Sequence, residues 1–146
     1  MDITLKRVRS TKDLAISSLT IIAGAAVYFL VPALGIIIIL CGVLLLLFCK
    51  SQFKNVETGV ILRKRAFDVA ASCRNSIKDF LEGRSDEIQI KAPGTEGSVR
   101  LEVYYNVVQS IAYAELYDFS NYNYVPATGM TEVSGQKALS LISRML

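Results

Sequence analysis

The sequence predicts a membrane α-helical hairpin of two transmembrane helices, followed by a small cytosolic α+β domain. Residues 14–49 contain no Asp, Glu, Lys or Arg. Only 20% of the 146 residues are charged and the mean hydropathy is +0.40, whereas a typical globular domain carries about 25% charge. Beyond residue 50, apolar residues recur with the spacings of helices and strands. The predicted segments are a basic N-terminus (1–13), the hairpin (14–49), a basic juxtamembrane segment (50–65) and the α+β domain (66–146).

The uncharged segment is too long for one crossing of a bilayer. As a single helix it would extend about 54 Å at 1.5 Å per residue, whereas a bilayer core is about 30 Å thick. Pro32 lacks a backbone donor and Gly35 tolerates turn conformations, so they predict a turn near 31–35 that separates two membrane helices. The alternatives are one kinked helix, a signal peptide cleaved after the small residues 23–26, and a helical hairpin buried inside a soluble protein, for which this chain offers too little covering surface.

Basic residues flank the uncharged segment on both sides. Lys6, Arg7, Arg9 and Lys12 precede it, and Lys50, Lys54, Arg63, Lys64 and Arg65 follow it. The positive-inside rule then predicts a multi-pass protein of a bacterial inner membrane with both termini cytoplasmic. The five following residues are predicted to meet membrane lipids through anionic headgroups, unless they only determine topology. Residues 85–146 are acidic, which argues against a nucleic-acid partner.

The distal segment predicts a helix, a three- to four-stranded antiparallel meander and a C-terminal helix. A stripe of apolar residues predicts the first helix at about 67–82, with Gly83 as its C-terminal cap. Alternating residues predict strands at about 87–91, 99–105 and 111–119, with a fourth at 122–125. Residues 133–146 have the pattern of a helix. For residues 55–65, strand and helix both remain open.

Few residues of this chain suggest chemistry. The sequence has no histidine and three well-separated cysteines, so we predict no metal site, no cofactor and no catalytic residues. Glu102, Glu115 and Asp118 are the only carboxylates weakly suggestive of an active site.

Tyrosine is the most unevenly distributed residue of the distal segment. Six of the seven tyrosines lie between residues 104 and 124. Tyrosine is favoured at protein interfaces and in strands alike, so a binding face and an ordinary sheet rim both remain open. The predicted partner-binding residues are Tyr104, Tyr113, Tyr117, Phe119 and Tyr122.

Placement and composition together favour a non-enzymatic, membrane-anchored adaptor or assembly subunit that presents its α+β domain to a protein partner. One alternative is a homo-oligomeric small channel or transporter subunit. A second alternative is a membrane-bound enzyme of unknown class.

Overall fold

The computed structural model describes residues 3–146, in which seven strands and four α-helices are present. The elements are β1 (Leu5–Arg9), α1 (Thr11–Tyr28), α2 (Pro32–Leu47), β2 (Ser51–Asn55), β3 (Ile61–Ala70), a 3-10 turn (Ala71–Cys73), α3 (Arg74–Leu81), β4 (Ser98–Asn106), β5 (Ile111–Ser120), β6 (Asn123–Pro126), β7 (Thr131–Ser134) and α4 (Gly135–Met145). They form two compact units. The hairpin unit is Leu5–Lys54, and the sheet unit is Asn55–Leu146 together with the described residues before Leu5.

Glycines bring the two helices of the hairpin unit into close contact. A Cβ at Gly35 would stand 2.4 Å from the Cα of Tyr28, and one at Gly42 would stand 2.6 Å from Cγ1 of Ile21. Small residues allow such an approach between helix backbones. The residues buried within α1 and α2 are accordingly Ser17, Gly24, Gly35 and Gly42. Many of the larger apolar side chains are exposed, as at Leu47, which is 72% exposed.

The turn of the hairpin differs from the predicted one. α1 ends at Tyr28 and α2 begins at Pro32, so the connection is formed by residues 29–31. Pro32 occupies the first helical position, where a missing N–H costs nothing and its fixed φ suits a helix. Gly35 lies inside α2 and contacts α1. The two residues therefore start and pack the second helix rather than forming the turn.

The prediction of two transmembrane helices is wrong. Among residues 3–146, no helix is both long enough and apolar enough to cross a membrane. α2 is apolar but has only 16 residues, about 24 Å of helix, where a crossing needs about 20 residues. α1 has 18 residues, but Lys12, Asp13 and several hydroxyl and small residues dilute its apolar character. The multi-pass localisation in a bacterial inner membrane, with both termini cytoplasmic, was predicted from two transmembrane helices. Because these helices are not found among residues 3–146, this prediction is wrong as well.

The sheet unit contains an antiparallel sheet with β4 near its centre. β4 pairs with β3 on one side and with β5 on the other. The far edge of β5 is shared by two short strands, β7 along residues 111–114 and β6 along residues 117–120. The unit is thus α+β, with an antiparallel sheet of more strands than the predicted meander.

The core of the sheet unit lies between one face of this sheet and helices α3 and α4. β4 and β5 contribute alternate residues, among them Leu101, Val103 and Leu116, all 0% exposed. Opposite them lie Ile77 and Phe80 of α3 and Ala138, Leu141, Ile142 and Met145 of α4. Because strand side chains alternate between faces, the same two strands present a second set of side chains away from the helices.

The helix predicted at 67–82 is a strand, a 3-10 turn and a shorter helix. β3 runs to Ala70, which settles residues 61–65 as strand, and α3 starts only at Arg74. Phe67 and Val69 alternate toward the core and pair with β4, so long-range pairing overrides the local helical spacing. Gly83 follows α3 with φ +76°, as a C-terminal cap requires. Residues 87–91 form no strand, although Ile88 is buried in the core.

Candidate functional site: an aromatic patch at the β5–β6 hairpin

The sheet face turned away from α3 and α4 carries most of the tyrosines. In the β4–β5 register Tyr104 is opposite Tyr113, Glu102 opposite Glu115 and Arg100 opposite Tyr117. All six therefore share one face. Lys64 of β3 stands next to Tyr104 on that face. Sheet pairing thus brings together four of the five predicted partner-binding residues, Tyr104, Tyr113, Tyr117 and Phe119.

Two of these tyrosines are inaccessible to a partner. Tyr113 is 1% exposed, and Nδ2 of Asn55 donates a hydrogen bond to its hydroxyl at 3.0 Å. Tyr104 is 8% exposed, and its hydroxyl donates to Glu102 at 3.3 Å. Burial raises the pKa of both hydroxyls. Both side chains are therefore buried in this structure, and their role in contacting a partner stays a prediction.

The accessible aromatic side chains gather where β5 and β6 meet. We call Tyr117, Phe119, Tyr122 and Tyr124 the aromatic patch. Phe119 is 55% exposed and Tyr122 is 93% exposed. Phe119 and Tyr124 are opposite each other across the strands, with ring centroids 5.2 Å apart. Tyr124 and the neighbouring Arg100 were not among the predicted site residues.

Arg100 fixes one side of the aromatic patch. Its guanidinium lies over the Tyr124 ring, 4.2 Å from the centroid, and its Nε donates to Asp68 at 3.3 Å. Cation–π stacking and the ion pair restrain this side chain beside Tyr124. The sequence signal for Tyr124 was its place in a predicted strand, but its alignment with Phe119 depends on the length of the β5–β6 turn.

That turn holds Tyr122 in an unfavourable backbone conformation. Ser120 pairs with Asn123, which leaves Asn121 and Tyr122 as a two-residue hairpin turn. Their φ values are +51° and +63°, as in a type I′ turn, where Asn-Gly is the preferred pair. A side chain other than glycine costs about 1–2 kcal/mol in the left-handed region. The chain thus carries its most exposed tyrosine at a position where glycine would be more stable, which suggests a functional role for that ring.

The carboxylates of the sheet separate into two environments. Oε2 of Glu102 forms an ion pair with Nζ of Lys64 at 2.8 Å. Glu115 accepts a hydrogen bond from the Tyr117 hydroxyl at 2.7 Å, and burial together with this hydrogen bond raises the pKa of Tyr117. Asp118 projects from the opposite face, where Arg74 donates two hydrogen bonds to it at 2.8 and 2.7 Å. These bonds lower the pKa of Asp118.

The five predicted membrane-surface residues are divided between the two units. Lys50 and Lys54 belong to the hairpin unit, whereas Arg63, Lys64 and Arg65 lie on β3 of the sheet unit. Lys64 is engaged with Glu102 and Tyr104. Because successive side chains of a strand point to opposite faces, Arg63 and Arg65 lie on the face opposite to that of Lys64. The three therefore do not form one continuous basic surface.

No group of three potential metal ligands occurs among residues 3–146. The three cysteines are free and differ in environment: Cys41 is exposed, Cys49 is half-buried and Cys73 is buried.

Comparison with protein families, with curated proteins and with solved structures finds no match to this chain. Its function is therefore inferred from its own residues and their geometry.

Proposed function

We propose that this protein is a non-enzymatic adaptor or assembly subunit that binds a protein partner through the aromatic patch of its sheet unit. The observation that carries the proposal is Tyr122, which is 93% exposed and held at φ +63°. Exposed aromatic side chains on a rigid hairpin make good anchors for a protein interface. A conformational cost at the same position argues that the ring contributes something other than stability.

The chemistry of the patch favours a partner surface with apolar and cationic side chains. Glu115 lies beside Tyr117 and forms no ion pair within residues 3–146. An incoming Lys or Arg could pair with this carboxylate and stack on the neighbouring rings. The acidic composition of residues 85–146 would favour the approach of such a surface.

An enzymatic or pore-forming role has less support. The sheet face turned away from α3 and α4 carries Glu102 and Glu115. Glu102 is ion-paired with Lys64, Glu115 accepts a hydrogen bond from Tyr117, and Asp118 lies on the other face. The channel or transporter alternative rested on the predicted membrane hairpin, and no helix of residues 3–146 is long and apolar enough to cross a bilayer.

The test compares three full-length proteins by affinity purification with quantitative mass spectrometry. The patch variant is Phe119→Ser with Tyr122→Gly. The control is Val108→Ser, which removes an apolar side chain that is 94% exposed in the β4–β5 turn outside the patch. We expect a stoichiometric partner with the wild-type chain and the control, and at least a tenfold loss of it with the patch variant.

Tyr122→Gly by itself separates binding from folding. The substitution relieves the strain of the left-handed conformation, which stabilises the fold, and makes the unfolded chain more flexible, which opposes this gain. The free energy of unfolding should therefore rise by up to about 1 kcal/mol. Weaker partner binding by a variant of equal or greater stability supports the proposal. Equal retention of the partner by all three proteins contradicts it, and a patch-dependent complex of this chain with itself alone would replace the adaptor role with self-assembly.

A further inference from the structure

The hairpin unit contains a cleft of about 390 Å³ at the end of α2. Its lining residues are Arg7, Val8, Arg9, Leu46, Leu47, Cys49 and Ser51. This volume falls within the range of small-molecule sites in proteins. The cleft lies wholly within the hairpin unit and shares no residue with the aromatic patch.

The polar part of the cleft is suited to an anion. Arg7 and Arg9 are two residues apart on β1, so both side chains project to the same side of the strand. Neither guanidinium forms an ion pair with a carboxylate in the described part of the chain. Nη2 of Arg7 donates to Oγ of Ser51 at 2.9 Å, which leaves the Ser51 hydroxyl proton available for a ligand oxygen. Two guanidinium forks and a hydroxyl are the donors expected around a phosphate group.

The apolar part of the cleft lies beside this polar part. Leu46 and Leu47 are the last two residues of α2, and Leu47 is 72% exposed. A ligand with its charged group at the arginines would therefore meet leucine side chains within the same cleft. Free phosphate would leave this apolar wall in water, whereas an attached alkyl chain would cover it.

Several contacts hold the two ends of the hairpin unit together around the cleft. The N–H of Ser10 donates to the carbonyl of Lys50 at 3.0 Å. The N–H of Lys50 donates to the Asp13 carboxylate at 3.1 Å. With the Arg7–Ser51 bond, these contacts fix β1 against the segment that follows α2, so the arginines and the leucines belong to a pre-formed site.

We infer that this cleft binds a phosphate-bearing amphiphile, with Arg7, Arg9 and Ser51 on the phosphate and Leu46 and Leu47 along the alkyl chain. The ligand chemistry is the same for a single dispersed molecule and for a phospholipid headgroup exposed at a lipid surface. The inference does not depend on the aromatic patch or on its partner.

The cysteines provide a test in the full-length protein. Cys49 lines the cleft. Cys41 lies with Leu44, Leu45 and Phe48 in a separate, apolar groove, and Cys73 is buried in the sheet unit. Alkylation of each cysteine by iodoacetamide is followed by peptide mass spectrometry, so that Cys49 reports the cleft, Cys41 reports general coating of apolar surface and Cys73 reports unfolding.

The probes are decyl phosphate below its micelle concentration, decanol, inorganic phosphate, and vesicles of phosphatidylcholine with or without phosphatidic acid. We expect decyl phosphate at about ten times its Kd to slow Cys49 alkylation about tenfold, with a smaller effect on Cys41. Decanol and inorganic phosphate should give little protection. Protection by decyl phosphate identifies a dispersed ligand as sufficient, and protection only by phosphatidic acid vesicles assigns the ligand to a lipid surface.

The variant Arg7→Gln with Arg9→Gln should weaken decyl phosphate binding by about 10- to 100-fold, because two charge-assisted contacts are lost. The control Arg63→Gln with Arg65→Gln makes the same change in net charge on β3 and should bind normally. If the double variant exposes Cys73, Arg9→Gln replaces it, since Arg9 makes no side-chain hydrogen bond within residues 3–146.

Three results would overturn the inference. They are equal protection of Cys49 by decanol or by inorganic phosphate, equal loss of binding in the two double variants, and protection of Cys49 and Cys41 to the same extent.

Discussion

The hairpin unit and the sheet unit bury opposite kinds of residue. In α1 and α2 the buried residues are a serine and three glycines, whereas leucines and isoleucines are exposed on several sides. In the sheet unit the buried residues are the large apolar ones, and the charged residues face outward. The hairpin is the more apolar of the two in sequence, yet the sheet unit has the larger apolar core.

The number of surrounding elements accounts for this difference. Two helices that pack side by side can each bury only one narrow stripe, and glycine in that stripe allows the closest approach of the backbones. A sheet covered by two helices encloses a volume, which the side chains of Leu101, Leu116 and Leu141 fill from different directions. Apolar composition therefore indicates a core only where the topology surrounds it.

The largest expected effect on stability is the difference between removing a buried leucine from the sheet unit and an exposed leucine from the hairpin unit. Leu101→Ala removes a side chain that is 0% exposed and should lower the free energy of unfolding by about 2–5 kcal/mol. Leu47→Ala makes the same change at a position that is 72% exposed and should alter it by less than about 0.5 kcal/mol. Urea unfolding of the full chain measures both. Equal losses would contradict the contrast between the two units.

A smaller effect is expected at the contact between the hairpin helices. Gly35→Val would place side-chain atoms against the backbone of Tyr28, since even a Cβ would stand 2.4 Å from its Cα. Overpacking of this kind costs about 1–3 kcal/mol, and hydrogen exchange should accelerate in peptides from α1 and α2. Gly94→Val serves as the control, because a Cβ there has no neighbour within 4 Å. Unchanged exchange in the hairpin peptides would show that the helices do not depend on this close approach.

The smallest effect concerns the ion pair between α3 and β5. Arg74 lowers the pKa of Asp118, so the pair stabilises the fold above the unfolded pKa of about 3.9. This contribution is lost as the pH falls through the lower, folded value. Because both side chains are about one-third exposed, solvent screening limits it to less than about 1 kcal/mol.

Asp118→Asn should therefore reduce the loss of stability as the pH falls below about 4 in urea titrations. Glu96→Gln, which removes an exposed carboxylate that forms no ion pair in the described chain, is the control for the loss of one negative charge. A parallel pH dependence in wild type and Asp118→Asn would remove the pair from the list of stabilising contacts.

The sequence by itself determined the local features of this protein. The uncharged segment predicted two consecutive apolar helices, because long apolar runs without an internal proline favour helix on both sides of Pro32. Alternation predicted strands close to β4, β5 and β6, and the helical stripe at the C-terminus predicted α4. The clustering of tyrosines predicted aromatic residues on the strands of the sheet, where alternate residues of one strand share a face.

Only the tertiary structure decided what those features do. The chemical character of a residue does not determine its burial. Tyr113 and Tyr117 lie on the same face of β5, but only Tyr117 belongs to the accessible aromatic patch. The absence of a membrane-crossing helix among residues 3–146 depended on where α1 and α2 begin and end, because α1 includes Lys12 and Asp13 and α2 has only 16 residues. The two-arginine cleft joins residues more than 35 positions apart. Such contacts arise when the chain closes on itself, and no local pattern specifies them.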